Sequence, residues 1–149
     1  MSAATSRTTP TPRLRFEPVP DTEILAAFDA FFDRLTVDRN AAAATALFAD
    51  DDDIWMSGSD LPELAIGSEA IAALHRHVAT RPFTLTFIWD RRMVNREGDV
   101  AWVNAAGTLL VEYEDREPMT MHYRLTAVLV RRDGTWRWHT FNGSEPHTP

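Results

Sequence analysis

The stretch Thr120–Asn142, TMHYRLTAVLVRRDGTWRWHTFN, limits the possible folds more than any other part of the chain. Two runs rich in β-branched and aromatic residues flank Arg132-Asp133-Gly134. Asp-Gly between such runs favours a tight reversal, because both residues tolerate positive φ. The spacing therefore predicts a long antiparallel hairpin. The same stretch carries His122, Arg124, Trp136, Trp138, His139 and Asn142, all side chains able to line a site. The rest of the chain must supply the surface that packs against it.

Upstream, the apolar pattern has a helical period. Asp21-Thr22-Glu23 reads as a helix start, with a capping residue and acids in the first turn. Ile24, Phe28, Phe31, Phe32 and Leu35 then form a stripe that ends near Val37. Asn40 is placed to cap a second, short helix over AAAATALFAD, with Leu47 and Phe48 facing inward. A third helix opens with Ser68 as its cap, buries Ile71, Leu74 and Val78, and stops at Thr80-Arg81-Pro82. His75 and His77 lie two apart and point to different sides of that helix, so both are expected at the surface. Between the second and third helices, Ile54–Ser57 reads as a short strand, and Pro62 restricts the segment Ser59–Ile66 to a loop or weak strand. The acidic run Asp50–Asp53 reads as a solvated turn, since no spaced ligand comes after it as in a calcium loop.

The remainder alternates with the strand period of two. Phe83–Val94 places Phe83, Leu85, Phe87, Trp89 and Met93 on one face. A turn around Gly98 leads to Val100–Tyr113, with faces Trp102/Asn104/Thr108 and Val103/Leu109/Val111. On the last strand, Trp136, Trp138, Thr140 and Asn142 are expected to share one face. This order of elements is α+β. Three helices on one face of a strongly curved, mainly antiparallel sheet make a cone-shaped roll, and its open end is a pocket.

Composition narrows the function classes. The net charge of −7 argues against a nucleic-acid surface, which needs clustered cations. Cysteine is absent, which removes disulfides, thiolate zinc sites and thiol nucleophiles. No Gly-rich phosphate loop is present, so neither cofactor nor metal is expected. No apolar run approaches membrane-spanning or signal-peptide length, so no membrane partner is expected and cytoplasmic residence is the default. Residues 1–20 hold four of the nine prolines and read as a flexible arm, leaving residues 21–146 as one domain.

Several short pieces resemble a known family. They are Ala46-Leu47-Phe48-Ala49-Asp50, Ile66-Gly67-Ser68-Glu69-Ala70-Ile71, Gly98-Asp99-Val100-Ala101-Trp102-Val103, Arg124-Leu125-Thr126-Ala127-Val128-Leu129, and Asp133-Gly134-Thr135-Trp136-Arg137-Trp138. In order and spacing they are similar to the nuclear-transport-factor-2-like (NTF2-like) superfamily, in particular its SnoaL-like and ketosteroid-isomerase-like domains. The resemblance implies the cone fold. It also implies a functional range of isomerases, cyclases, dehydratases, hydrolases and non-catalytic modules. Aligned on ALFAD, Phe32 stands where the isomerases carry an oxyanion-binding tyrosine, and Met56 stands near their aspartate base. Neither can donate to an enolate or take a proton. Thr140 and Asn142 stand where relatives often carry histidines.

Two functional readings are open. The first is a cofactor-independent isomerase, cyclase, dehydratase or hydrolase acting on a small, largely apolar metabolite. Arg124 serves as an anion or carbonyl anchor and His139 as a base. Trp55, Trp89, Asn104, His122 and Asn142 line the ligand site. The second is a non-catalytic ligand-binding or dimerisation module. A homodimer is expected in both, because outward apolar positions such as Val128 and Val130 need cover.

Overall fold

The hairpin turn forms as its residues dictate: Asp133 (φ 50°) and Gly134 (φ 76°) both take left-handed backbone conformations. The computed structural model describes residues 21–149, so the arm expected over residues 1–20 lies outside the described residues. The helices are α1 (Asp21–Phe32, with a wider π-type turn over Asp33–Val37), α2 (Ala41–Thr45) and α3 (Ser68–Ala79). The strands are β1 (Trp55–Ser57), β2 (Leu64–Ile66), β3 (Phe83–Glu97), β4 (Val100–Tyr113), β5 (Met119–Arg132) and β6 (Thr135–Ser144). They form one six-stranded sheet in the order β2-β1-β6-β5-β4-β3. Among the described strands, β1 and β6 are the one parallel pair of neighbours. Among the described residues no helix is long and apolar enough to cross a membrane.

The helical stripe drives the packing. Ile24, Phe28, Phe31, Phe32 and Leu35 are all buried. Their rings meet Trp138, at 5.3 Å from Phe28 and 4.9 Å from Phe31. Phe32 reaches across to Phe87 at 4.9 Å. Trp138 is fully buried, and its indole N–H donates to the Ala27 carbonyl at 3.2 Å, so its one polar atom is satisfied. Asn40 caps α2 by accepting from Ala43 N at 3.0 Å, a contact worth about 1 kcal/mol. At the far end of the hairpin, the Arg96 and Arg131 guanidinium groups lie over the buried Trp136 ring at 5.1 and 5.3 Å. Arg131 also donates to Asp99, which ties the β3–β4 turn to the hairpin.

Four expectations are corrected. His75 is fully buried, not at the surface. It lies four residues after Ile71 on the inward stripe of α3, and its ring nitrogens find Thr45 Oγ1 at 2.8 Å and Met56 Sδ at 3.2 Å. Gly67, not Ser68, occupies the cap position of α3. Met93 is exposed because β3 carries a bulge: Trp89 pairs with Gly107 but Arg91 with Ala106, leaving Asp90 as the extra residue. The last strand shifts phase in the same way. Val128 pairs with Thr140 and Leu129 with Trp138, leaving His139 as the extra residue. Trp138 and Phe141 therefore both face the core, three residues apart, and Thr140 and Asn142 leave the face of Trp136 and Trp138.

Candidate functional site

Helix-facing positions on β5 are the buried residues Tyr123, Leu125 and Ala127, so the alternating His122, Arg124 and Thr126 occupy the uncovered outer face. Asn104 is on that face too and accepts from Thr126 Oγ1 at 2.9 Å. Asn142, opposite Thr126 in register, is exposed beside them. His122 and Arg124 border a shallow groove of about 470 Å³ with Asp90, Arg91 and His147. His139 stands elsewhere. Its Nε2 lies 3.1 Å from Asp53 Oδ1 and its Nδ1 2.8 Å from Thr140 Oγ1.

Arg124 and His139 therefore do not meet in one enclosed pocket. Arg124 pairs with Ser144 in register, while the residues flanking His139 pair with Val128 and Leu129. That separates them by roughly 13 Å along the strand. Trp55 lies half-exposed on the short β1 strand. Trp89 does face inward, but as part of the aromatic cluster with Phe28, Phe32 and Phe87. Asp51, Asp53 and His139 bring ligand-type atoms within 4.8 Å of one another. Arg132 already donates to Asp51 at 2.9 Å, so the protein itself supplies a cation to that cluster.

The cone has its cavity at the other end of the sheet, away from the Asp133-Gly134 turn. There β5 runs past the end of β6, since Arg124–Ser144 is the last pair between them. The overhang Met119–Tyr123, the start of β3 and the end of β4 enclose a cavity of about 260 Å³. Phe87, Leu109 and Tyr123 line it from within, and Leu85, Val111 and Met121 add apolar wall. Ser59, Asp60 and Glu63 come from the β1–β2 loop, Arg81 from the end of α3, and Glu145 from just beyond β6.

Two glycines make this arrangement possible. Gly58 donates its N–H to Glu63 O at 2.8 Å, and a Cβ on it would sit 2.8 Å from Glu63 Cβ. The tight loop thereby turns the Glu63 side chain back, and its Oε1 accepts from Asp60 N at 3.1 Å. Gly143 leaves room for the Tyr123 phenol, which any larger residue would strike.

The electrostatics of the two central groups arise from burial. Desolvation raises the Glu63 carboxyl above the ordinary glutamate value, against the lowering effect of the Asp60 N–H and of Arg81, whose guanidinium lies 3.6 Å away. Desolvation also pushes the Tyr123 phenol well up, and the charges of Glu63 and Glu145 add to it. Ser59, close by, lowers it in part. Ser59 donates to Glu145 Oε1 at 2.5 Å. A phenol raised by burial and a carboxyl raised in the same cavity are groups of the kind that donate and accept protons in catalysis. Deeper in the cone, Phe32, Met56 and His75 are packed side chains, and burial lowers His75 from 6.5 to about 4.

Tyr123, Glu63 and Arg81 were not singled out by the sequence reading. For Tyr123 a signal existed. It shares the phase of Leu125, Ala127 and Leu129, and the apolar phase is the one that helices cover.

Comparison with known proteins supports the architecture. A family model described as the SnoaL-like domain matches residues 24–147. No curated protein matches the chain. Three solved structures are similar in fold. An NTF2-like family protein from Streptomyces avermitilis, proposed to be a dehydratase, superposes with a TM-score of 0.76 at 15% identity, over 87% of this chain and 100% of that one. An NTF2-like protein of unknown function from Pseudomonas putida gives a TM-score of 0.73 at 19% identity, over 90% and 92%. A protein from Novosphingobium aromaticivorans, proposed to be a scytalone dehydratase, gives 0.70 at 15% identity, over 87% and 89%. At these identities the likeness is one of fold.

Proposed function

The chain belongs to the SnoaL-like domain family and has the NTF2-like fold, and from that premise we propose that its cavity binds a small, largely apolar metabolite on which Glu63 and Tyr123 move protons without a cofactor, as an isomerase or lyase does. One observation carries the reading: a carboxyl and a phenol, each raised above its ordinary value by burial, line one cavity of mixed apolar and polar walls. A carboxylate with a raised pKa is a better base toward a C–H next to a carbonyl. Tyr123 keeps its proton and donates to the oxyanion as charge develops there. Arg81, beside Glu63, offsets the change in charge. Chemistry at the mouth of the cone also fits the filled interior at Phe32 and Met56.

The test is solvent deuterium exchange at the C–H next to the carbonyl of small cyclic ketones, monitored by NMR. Exchange above the buffer rate that disappears in Glu63→Gln supports the proposal. Wild-type exchange no faster than buffer sinks its catalytic half. Filling the cavity with Leu109→Trp tests the binding half, because a ligand that binds this variant unchanged is bound elsewhere.

A second reading, a ligand-binding or dimerisation module without catalysis, is favoured by the uncovered sheet face. Ile88 is 47% exposed there and Met93 66%. In both readings the proposal includes a homodimer formed through that face.

A further inference from the structure

We propose that the ligand of this cavity is an organic cation: a protonated amine on an apolar body of one or two rings. The inference rests on the binding half of the reading above and adds the charge of the ligand. The size is set by a volume of about 260 Å³, near the lower end of the range usual for ligand pockets, about 300–1,000 Å³.

The charge is set by two independent features of the cavity. The first is its balance of ionisable groups. Asp60, Glu63 and Glu145 line it, against Arg81 as the cation. Arg81 pairs with Glu63 at 3.6 Å, which leaves Asp60 and Glu145 uncompensated by any cation lining the cavity. Ser59 binds Glu145 but carries no charge. Both carboxylates are exposed to solvent where they border the cavity, so their screened charge draws a cation toward it and opposes an anion. The formal charge of −7 on the whole chain attracts the same ligand from a distance.

The second feature is the aromatic lining. Phe83, Phe87, Tyr113 and Tyr123 all contribute to the cavity. Two of these rings already hold cations of the protein itself. The Arg81 guanidinium lies 5.6 Å from the centre of Phe83, and that of Arg116 lies 4.5 Å from Tyr113. These two rings show that aromatic faces at this rim attract positive charge, but the protein's own arginines already occupy them. Phe87 and Tyr123, edge to face at 5.1 Å, offer the same kind of surface further in. Aromatic faces combined with nearby carboxylates recognise an ammonium group better than either does alone. Burial is the main cause of the raised Tyr123 phenol, and the charges of Glu63, Glu145 and Asp60 each add to it.

Three probes of similar size separate the possibilities: 2-phenylethylamine, 2-phenylethanol and phenylacetate, titrated calorimetrically into the full chain at low and high salt. The amine is expected to bind about tenfold tighter than the alcohol, with phenylacetate weakest. The preference should narrow in high salt. It should also narrow in the Asp60→Asn/Glu145→Gln double variant, which should lose affinity for the amine by a larger factor than for the alcohol. Both residues are exposed, so the variant should keep the wild-type circular dichroism spectrum. Alcohol or phenylacetate binding as tightly as the amine overturns the charge assignment and leaves the pocket reading standing. No binding by any probe up to its solubility overturns both.

Discussion

His75 Nε2 lies 3.2 Å from Met56 Sδ at the centre of the molecule, while its Nδ1 meets Thr45 Oγ1 at 2.8 Å. No charged partner is among these contacts, and burial lowers the imidazole from 6.5 to about 4. The folded chain therefore takes up this proton only near pH 4, but the unfolded chain does so near 6.5. Between those values the unfolded state binds more protons. The contribution of His75 is fully present above about pH 6.5 and is lost as pH falls through the window to about 4. The loss is on the order of 3 kcal/mol. Urea unfolding at several pH values, on wild type and on His75→Leu, measures it. The wild type should lose more stability than the variant, and parallel losses would clear His75 of the effect.

Gly107 gives a second prediction. It faces Trp89 at the β3 bulge, and a Cβ there would overlap the Ile88 carbonyl and lie 2.9 Å from Trp89 Cα. The obstacle is backbone, which cannot swing away as a side-chain end can. Gly107→Ala should cost about 3 kcal/mol in chemical denaturation. Gly98→Ala is the control, because a Cβ there meets nothing within 4 Å. Its cost should be the smaller one of a left-handed φ of 57°.

These residues also mark where reading from sequence stopped. The Asp133-Gly134 turn, the α1 stripe and the Asn40 cap were legible, because each depends on residues close together in the chain. The faces of β3 and β6 were legible only up to Asp90 and His139. A bulge inserts one residue, and every later position in a period-two count then changes side. Nothing in the residue types at either site forces that insertion. His75 was misplaced because the polar atom that makes its burial tolerable, Thr45 Oγ1, is 30 residues away. The candidate site was less legible still. It draws on a loop, a helix end, a strand overhang and Glu145, and no sequence spacing joins them.

The outer sheet face supplies a third prediction. Val128 lies near its middle, opposite Trp102 and Thr140 on the neighbouring strands, with Asn104, His122 and Arg124 further along the face. A homodimer through this surface should give twice the mass of the chain by light scattering at micromolar concentration. Val128→Glu sets like charges against each other across a two-fold interface and should shift the protein to monomer without changing its circular dichroism. A wild-type monomer at that concentration refutes the dimer.

The last prediction separates the roles of Glu63 and Tyr123. Glu63→Gln keeps the shape of the side chain and its bond from Asp60 N but removes the proton acceptor. It should abolish exchange on a ketone probe while changing the affinity for that probe by less than about tenfold, a change of at most about 1.4 kcal/mol. Tyr123→Phe keeps the ring that packs against Phe87 but loses the donor to the developing oxyanion. Its exchange rate should fall by about 10²–10³-fold. The two variants should also differ in pH dependence. Glu63 must be ionised to act, so the wild-type rate should rise with pH through the raised Glu63 value, and Tyr123→Phe should keep that rise at a lower plateau. Removing the phenol leaves the carboxyl as the titrating group. If Tyr123→Phe instead loses the pH dependence, Glu63 is not the proton acceptor.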